Sequence, residues 1–123
     1  MKIILFIGTG SFIGGISRYL LSLLIHSKTT SLFPLSTLIV NVIGCFLIGI
    51  VIGFFDKGQL SHEWKLFLAT GILGGFTTFS AFSNETIVLF KEGYTGYALL
   101  YIAASVILGL LATYCAYLLI KQI

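Results

Sequence analysis

Residues 71–82 read Gly-Ile-Leu-Gly-Gly-Phe-Thr-Thr-Phe-Ser-Ala-Phe and lie within an almost uncharged part of the chain. The three glycines and the adjacent β-branched Thr77 and Thr78 all weaken an α-helix. A broken helix is tolerated in a bilayer only where its freed backbone groups face protein, water or an ion. The segment therefore predicts a membrane helix that is interrupted at this Gly/Thr motif. The interruption is either a simple kink or a site where backbone carbonyls hold a cation.

The composition places the rest of the chain in a membrane as well. Its 123 residues are 58% hydrophobic and only 9% charged, whereas soluble domains carry about 25% charged residues. The mean hydropathy is +1.09. Four apolar stretches approach the roughly 20 residues that a membrane span needs, and they cover residues 3–25, 33–55, 64–90 and 95–120. We predict an all-α membrane protein whose residues 1–123 form a single domain of four transmembrane helices.

Several function classes are excluded by what the sequence lacks. The net charge of +3 comes from scattered Lys and Arg residues, without the basic cluster of a nucleic-acid-binding protein. His26 and His62 lie at the edges of spans and have no nucleophile or metal ligand beside them, so we expect no enzyme activity. Cys45 and Cys115 fall inside apolar spans. We interpret them as small core residues rather than as a disulfide or a metal site.

The loop charges give only a weak indication of orientation. With four spans, the N-terminus, the second loop and the C-terminus share one side, where four lysines lie: Lys2, Lys57, Lys65 and Lys121. The other side carries Lys28 and Lys91, together with Arg18 if that residue faces outward. The positive-inside rule needs a larger excess to define a topology. The chain is therefore expected to insert in both orientations, or with a weak preference for cytoplasmic termini.

Two polar residues lie inside the first two spans. An intramembrane arginine such as Arg18 is costly unless it snorkels or is paired. It either reaches the interface or raises the anion concentration at the mouth of a pathway. Asn41 lies near the middle of the second span, one turn after Thr37. Its amide either joins two helices, which is the commoner role, or donates hydrogen bonds to a passing anion.

An aromatic pair and a line of hydroxyl groups follow the Gly/Thr motif. Phe79 and Phe82 are three residues apart and lie on one face of a helix. The positive edges of their rings can stabilise a small anion without a fixed charge, although most such pairs are simple packing. Ser83 adjoins this face, and Tyr101 and Ser105 place two more hydroxyl groups one turn apart on the fourth span.

Other residues receive structural interpretations. Gly10-x-x-x-Gly14 and Gly49-x-x-x-Gly53 predict close packing between helices. Ser61 is expected to cap the N-terminus of the third helix. Glu85 is the only acidic residue within an apolar span. We expect it to cap a helix or form a salt bridge rather than to carry protons.

Three motifs, taken together and in order, resemble those of the Fluc/CrcB family of bacterial fluoride channels. They are Gly14-Gly15-x-x-Arg18-Tyr19, Thr37-Leu-x-Val40-Asn41-x-x-Gly44-x-Phe46-x-x-Gly49 and Gly71-x-x-Gly74-Gly75-x-Thr77-Thr78-Phe79-Ser80-Ala81-Phe82. The resemblance covers essentially the whole chain. It implies a passive, fluoride-selective channel in the bacterial cell membrane, which exports fluoride down its electrochemical gradient and so reduces its toxicity in the cytoplasm.

The resemblance also implies an assembly and a set of site residues. Members of this family are antiparallel, dual-topology homodimers with two pores, which suits the weak charge bias. By match, the fluoride path is lined by Asn41 and by the rings of Phe79 and Phe82, with a polar track at Tyr101 and Ser105. We assign the hydroxyl groups of Thr37 and Ser83 to the same pathway. Arg18 corresponds to the family's vestibule arginine. A structural Na⁺ at the dimer centre is held by backbone carbonyls that match Gly74 and Thr77.

Two departures and two rival functions remain open at this point. Ala81 stands where the family commonly has Ser or Thr, and Gly109 occupies a polar-track position that often carries Ser. The missing hydroxyl groups keep open a heterodimer with a paired homologue. A small multidrug-type exporter would need an acidic residue in its first span, where this chain has Arg18. A non-transporting assembly subunit would show no ion flux.

Overall fold

The computed structural model describes residues 1–123 and is built entirely from helices. In chain order these are α1 (Lys2–Lys28), α2 (Leu35–Asp56), α3 (His62–Lys65), a π-helical segment (Leu66–Leu73), α4 (Gly74–Phe76), α5 (Phe79–Lys91) and α6 (Thr95–Gln122). Four helical spans are long and apolar enough to cross a membrane: Lys2–Lys28, Leu35–Asp56, His62–Lys91 and Thr95–Gln122. The predicted class of an all-α protein with four membrane-spanning helices is therefore confirmed.

The third span is interrupted where the two threonines lie. Thr77 and Thr78 both have extended backbones, with φ/ψ of −83°/157° and −148°/110°. The hydroxyl oxygen of Thr78 then caps α5 by accepting a hydrogen bond from the Ala81 amide at 3.2 Å. At the other end of the span, the hydroxyl oxygen of Ser61 accepts from the Trp64 amide at 3.3 Å, which confirms the predicted N-cap. The predicted interruption at the Gly/Thr motif is confirmed, and the threonines form it.

Two glycines of that motif, Gly71 and Gly75, do not break the helix; they let α1 approach it. A Cβ added to Gly71 would lie 3.0 Å from the carbonyl oxygen of Ile7, and one added to Gly75 would collide with the Ser11 carbonyl. Both positions remain helical. We expected these glycines to weaken the helix, but the chain leaves helical geometry at Thr77 and Thr78 instead. The small size of the glycines matters because two backbones pass each other in direct contact.

The predicted glycine pairs have the same packing function, which confirms that interpretation. On α1, an added Cβ at Gly10 would lie 2.8 Å from the Phe67 carbonyl oxygen, and one at Gly14 would collide with that of Ile72. On α2, Gly49 and Gly53 face α6 in the same manner. The bundle therefore consists of two closely packed pairs, α1 with the first half of the third span and α2 with α6.

Most of the apolar surface lies outside this small bundle. Only 19 of 123 residues are buried, and apolar side chains on every span are exposed, as they would be against lipid or a second copy. Cys115 is exposed on α6, so its predicted place in the core is wrong, because the outer face of that helix is as apolar as its inner face. Cys45 is half-buried, and both cysteines are free thiols.

The contact between α1 and the third span generates a matched pair of substitutions. We expect Gly14→Ala to lower the free energy of unfolding by about 1–3 kcal/mol, because the new methyl group meets backbone atoms that cannot rotate away. Gly8→Ala on the same helix has open space around the added carbon. It should be neutral or stabilising by about 0.5–1 kcal/mol, through helix propensity alone. Thermal denaturation in detergent measures both, and equal shifts would contradict the packing described here.

Candidate functional site

The helix interruption opens onto a cavity of about 380 Å³. Four residues of the predicted anion path line it, namely Asn41, Phe79, Phe82 and Ser105. The two residues matched to a cation site, Gly74 and Thr77, line the same cavity. The rest of the cavity wall is formed by seven further residues: Gly44, Cys45, Ile48, Ala69, Leu73, Thr78 and Val106. The structure therefore brings two groups of residues together that the sequence places on three different spans, and none of the lining side chains is charged.

Asn41 holds the interrupted backbone through both ends of its amide. Its Oδ1 accepts a hydrogen bond from the Thr78 amide at 2.8 Å, and its Nδ2 donates to the Thr78 carbonyl at 3.1 Å. Because the Thr78 amide can only donate, this contact defines which end of the Asn41 side chain is oxygen. One of the two Nδ2 hydrogens is used in the clamp. The second is a donor on a side chain that lines the cavity.

Two backbone carbonyl oxygens are left free at the interruption. In a continuous α-helix the amides of Thr78 and Ala81 would donate to the carbonyls of Gly74 and Thr77, four residues earlier. Here the Thr78 amide donates to Asn41, and the Ala81 amide donates to the Thr78 hydroxyl. Neutral carbonyl oxygens of an unwound membrane helix are ligands that suit Na⁺. Gly74 and Thr77 thus fit the cation site implied by the family resemblance, on a donor set that contains no carboxylate.

The two phenylalanine rings have different surroundings. Their centroids are 5.4 Å apart with an interplanar angle of 50°. Phe82 packs against the buried cluster and lies 5.1 Å from the ring of Tyr101. Phe79 is 78% exposed in the protomer, although it lies at the inner end of a broken span. A large aromatic side chain with so few contacts marks this face as one that meets lipid or a second protein surface.

Behind Phe82, a buried hydrogen-bond network is centred on Glu85. The Thr37 hydroxyl donates to Oε1 and the Tyr101 hydroxyl donates to Oε2, both at 2.7 Å. Glu85 therefore caps no helix and forms no salt bridge, and that expectation is wrong. The reason is that α2, α5 and α6 converge at this point, where two hydroxyl groups are available and no basic side chain is. An acidic residue within a span is itself a signal for such a site.

The predicted polar residues of the fourth span thus separate into two environments. Tyr101 is fully buried and directs its hydroxyl to Glu85 rather than to the cavity. Ser105 lines the cavity, and its buried Oγ has no hydrogen-bond partner in the protein. One turn further, the space beside Gly109 is occupied by Cys45, whose Sγ would lie 3.3 Å from an added Cβ. A thiol on α2 therefore occupies the space that a side chain at position 109 would need.

Arg18 and Ser83 lie outside the cavity lining. Arg18 is half-buried on α1, and no acidic side chain pairs with it. Ser83 is half-buried on α5, one residue beyond Phe82. Thr37 is buried beneath the cavity wall, where it contacts Glu85. The protomer therefore brings together Asn41, Ser105 and the two rings, while these other predicted residues are separate from them.

Comparisons with known proteins agree on one family. The family described as CrcB-like protein, Camphor Resistance (CrcB), matches residues 5–117. A protein of Flavobacterium psychrophilum named fluoride-specific ion channel FluC is 43% identical over 124 residues, covering 100% of both chains. Proteins of the same name from Thermus thermophilus and Rhizobium meliloti are each 44% identical, covering 95% and 98% of this chain and 94% and 98% of their own.

The chain belongs to the CrcB family.

Membership in the CrcB family confirms three predictions from the sequence. The named relatives are ion channels, so this is a transport protein and not an enzyme. The four long apolar helices and the bacterial relatives make it a multi-pass protein of the bacterial membrane. The resemblance based on three motifs is confirmed by a match that extends almost from end to end.

The clamp on Thr78 generates a prediction about the helix interruption. Asn41→Asp has the same shape, and it still accepts from the Thr78 amide. It brings a second oxygen against the Thr78 carbonyl where Nδ2 had donated. We expect a loss of about 1–3 kcal/mol in the free energy of unfolding and faster hydrogen exchange at the amides of Thr78 and Ala81. Asn84→Asp is the matched control, because Asn84 is exposed on α5. Equal exchange rates in the two variants would contradict the clamp.

Proposed function

We propose that this protein is a fluoride-selective channel that passes fluoride passively out of the cytoplasm. The observation that carries the proposal is the cavity at the helix interruption, whose polar groups include hydrogen-bond donors and whose walls hold no fixed charge. Relatives at 43–44% identity are named fluoride-specific ion channels. The donors and the ring edges replace the stabilisation by water that a small, strongly hydrated anion loses when it enters the cavity.

The lining residues suggest how fluoride would be stabilised along this path. The Ser105 hydroxyl has no protein partner, and Asn41 retains one N–H beyond its clamp on Thr78. The edges of Phe79 and Phe82 add a weak positive field, which attracts an anion without trapping it. Conduction requires sites that are favourable enough to enter and weak enough to leave. Neutral donors meet that requirement better than an arginine or lysine in the cavity would.

The carboxylate of Glu85 is separated from the anion by the Phe82 ring. Both of its oxygens accept hydrogen bonds from buried hydroxyl groups. These bonds hold the carboxylate in place, and Glu85 does not line the cavity. The Thr37 and Tyr101 hydroxyls therefore act on fluoride indirectly in this protomer, by holding Glu85 and the Phe82 ring in place.

We further propose that the working unit is an antiparallel dimer with two pores. The surface around the interruption supports this, since Gly74, Phe79 and Ser80 are all exposed although they lie in the middle of a span. A second copy covering this surface would place the exposed Phe79 ring in its neighbour's pathway. The weak bias in loop charge is compatible with insertion in both orientations. The partner is a second copy of this chain, and a paired homologue is the alternative.

The same dimer axis would bring together the carbonyl oxygens of Gly74 and Thr77 from both protomers. Four neutral oxygens would then surround a structural Na⁺, whose charge would raise the positive potential beside both pores. In each protomer these oxygens are available because the amides of Thr78 and Ala81 bond elsewhere. Gly74 contributes its lack of a side chain, which lets the two backbones approach.

The direct test of the channel function is fluoride efflux from liposomes that contain only the purified protein. We expect rapid, electrogenic fluoride loss down its gradient, with chloride retained and with no dependence on a proton gradient. Efflux that required a proton gradient would support a coupled exporter instead. If neither ion is released, the assay is repeated with any paired homologue. Absence of flux in that preparation too would overturn the proposal.

Substitution of the rings tests the pathway itself. Phe82→Ile and Phe79→Ile should each reduce fluoride flux by more than about tenfold, the equivalent of about 1.4 kcal/mol in the barrier. The second variant is informative because Phe79 contributes little to the protomer's core. Phe12→Ile is the matched control, since Phe12 is 69% exposed on the outside of α1. Flux at the unmodified level in both ring variants, with intact dimers, would remove the rings from the pathway.

The cation site has a separate test. Within the protomer, a Cβ at Gly74 would meet only the Ala69 carbonyl oxygen, at an ordinary 3.7 Å. Gly74→Val should therefore leave the protomer folded while it weakens the dimer and its dependence on Na⁺. Crosslinking and size-exclusion chromatography, with Na⁺ or with a large organic cation, measure both effects. A dimer with unchanged stability in both salts would argue against a site at this position.

A further inference from the structure

A second, smaller cavity lies where the start of α1 meets α3, away from the helix interruption. Its volume is about 160 Å³, and it is lined by Lys2, Ile3, Phe6 and Glu63. It is smaller than the 300–1,000 Å³ that drug-sized ligands occupy. It has a chemically mixed lining, with one basic, one acidic and two apolar residues. No residue of the anion path contributes to it.

The two charged side chains of this cavity do not neutralise each other. Lys2 and Glu63 are both exposed and form no salt bridge, although they line one space. Two neighbouring lysines at the same end of the bundle have protein partners. The Lys57 Nζ donates to the Ile120 carbonyl at 3.1 Å, and the Lys65 Nζ lies 3.8 Å from the centroid of the Phe55 ring. Lys2 has no such partner, so its charge is available to a ligand.

Phe6, which lines the cavity, belongs to a compact aromatic cluster. Phe6 stacks on Phe67 with centroids 4.5 Å apart, and Trp64 meets Phe6 edge-on at 5.5 Å. Trp64 is 51% exposed beside this cluster. Tryptophan is enriched at the level of lipid headgroups, where one part of the ring is in an apolar environment and the other in a polar one. The cavity also lies where the spans Lys2–Lys28 and His62–Lys91 begin, so we expect it at the membrane interface.

We propose that this cavity binds the headgroup of a lipid with a phosphate and a primary ammonium, of which phosphatidylethanolamine is the common bacterial example. Lys2 pairs with the phosphate, Glu63 accepts hydrogen bonds from the ammonium, and Ile3 and Phe6 contact the first carbons of an acyl chain. A purely anionic headgroup such as that of phosphatidylglycerol meets Lys2 equally well but has no cation for Glu63. The quaternary ammonium of phosphatidylcholine has no N–H to donate.

The opposite signs of Lys2 and Glu63 favour this zwitterionic ligand over a simple attraction of acidic lipid. Glu63 lies in the first turn of α3, which begins at the cap formed by Ser61. A carboxylate at this position repels acidic lipid from the space beside Lys2. A headgroup that carries its own cation removes that repulsion.

Trp64 is the only tryptophan in the chain, so its fluorescence reports directly on lipid beside the cavity. The protein is placed in bilayers of brominated phosphatidylcholine, which quenches the indole. Unbrominated phosphatidylethanolamine, phosphatidylglycerol or phosphatidylcholine with the same acyl chains then replaces it stepwise. We expect phosphatidylethanolamine to relieve quenching with a relative binding constant about threefold above that of phosphatidylcholine, as exposed charge pairs typically give. Phosphatidylglycerol should show no such preference.

Charge-neutral variants test the assigned contacts. Glu63→Gln should bring the relative binding constants of phosphatidylethanolamine and phosphatidylcholine to about one, since the preference between them depends on the ammonium contact. Lys2→Gln should weaken binding of phosphatidylethanolamine and phosphatidylglycerol alike. Glu92→Gln and Lys121→Gln are matched controls, because both residues are exposed and line neither cavity. All four substitutions are at exposed positions, and retained dimer and melting temperature verify that the fold is unchanged.

Three results would overturn the proposal. The first is equal relief of quenching by all three lipids in the unmodified protein. The second is a loss of the preference for phosphatidylethanolamine in the control variants as large as that in Glu63→Gln. The third is relief of quenching by soluble phosphoethanolamine at concentrations equal to those of the lipid. That result would assign the cavity to a free metabolite, because the acyl contacts of Ile3 and Phe6 would then contribute nothing.

Discussion

The rest of this structure depends on the two hydrogen bonds between the Asn41 side chain and the backbone of Thr78. A chain that leaves helical geometry inside a bilayer exposes amide and carbonyl groups, and each unsatisfied one costs several kcal/mol. Asn41 satisfies the Thr78 amide and carbonyl together, at 2.8 and 3.1 Å. It thereby stabilises an interrupted third span and leaves the Gly74 carbonyl free. The Thr78 hydroxyl, which accepts from the Ala81 amide, leaves the Thr77 carbonyl free in turn. The cavity, the ring positions and the candidate cation site all follow from this clamp.

Glycine contacts provide the frame in which the clamp acts. Helices in lipid gain little from burying apolar side chains against each other, so close van der Waals packing becomes a main source of association. Here α1 contacts the first half of the third span through Gly10, Gly14, Gly71 and Gly75, with backbone atoms of one helix against those of the other. This half of the span is therefore held by α1, while Asn41 on α2 holds the point where it ends. The second half is free to start in a new direction.

No charged side chain lines the cavity at the helix interruption. The carboxylate within the spans, Glu85, is bound by Thr37 and Tyr101 behind the Phe82 ring, and no basic residue lines the cavity. A fixed cation in the cavity would bind a small anion too tightly for it to leave, and a fixed anion would repel it. In the proposed pathway, hydroxyl, amide and ring-edge groups would stabilise the anion at intermediate strength. At the membrane surface, by contrast, Lys2 and Glu63 remain separate and available to a lipid headgroup.

The amino-acid sequence alone determined the membrane environment, the four spans, the position of the helix interruption and the family. Hydropathy, span length and motif order depend only on residues that are close together in the chain, so no tertiary contact is needed to recognise them. Only the tertiary structure decided what each polar residue contacts. In the structure Asn41 bonds the Thr78 backbone, and Glu85 bonds two hydroxyl groups. Gly71 and Gly75 contact α1 and do not form the break. Cys115, expected in the core, proved to be exposed. These outcomes depend on which faces of three different helices converge, and a chain that is apolar on all sides carries no periodic pattern that specifies those faces.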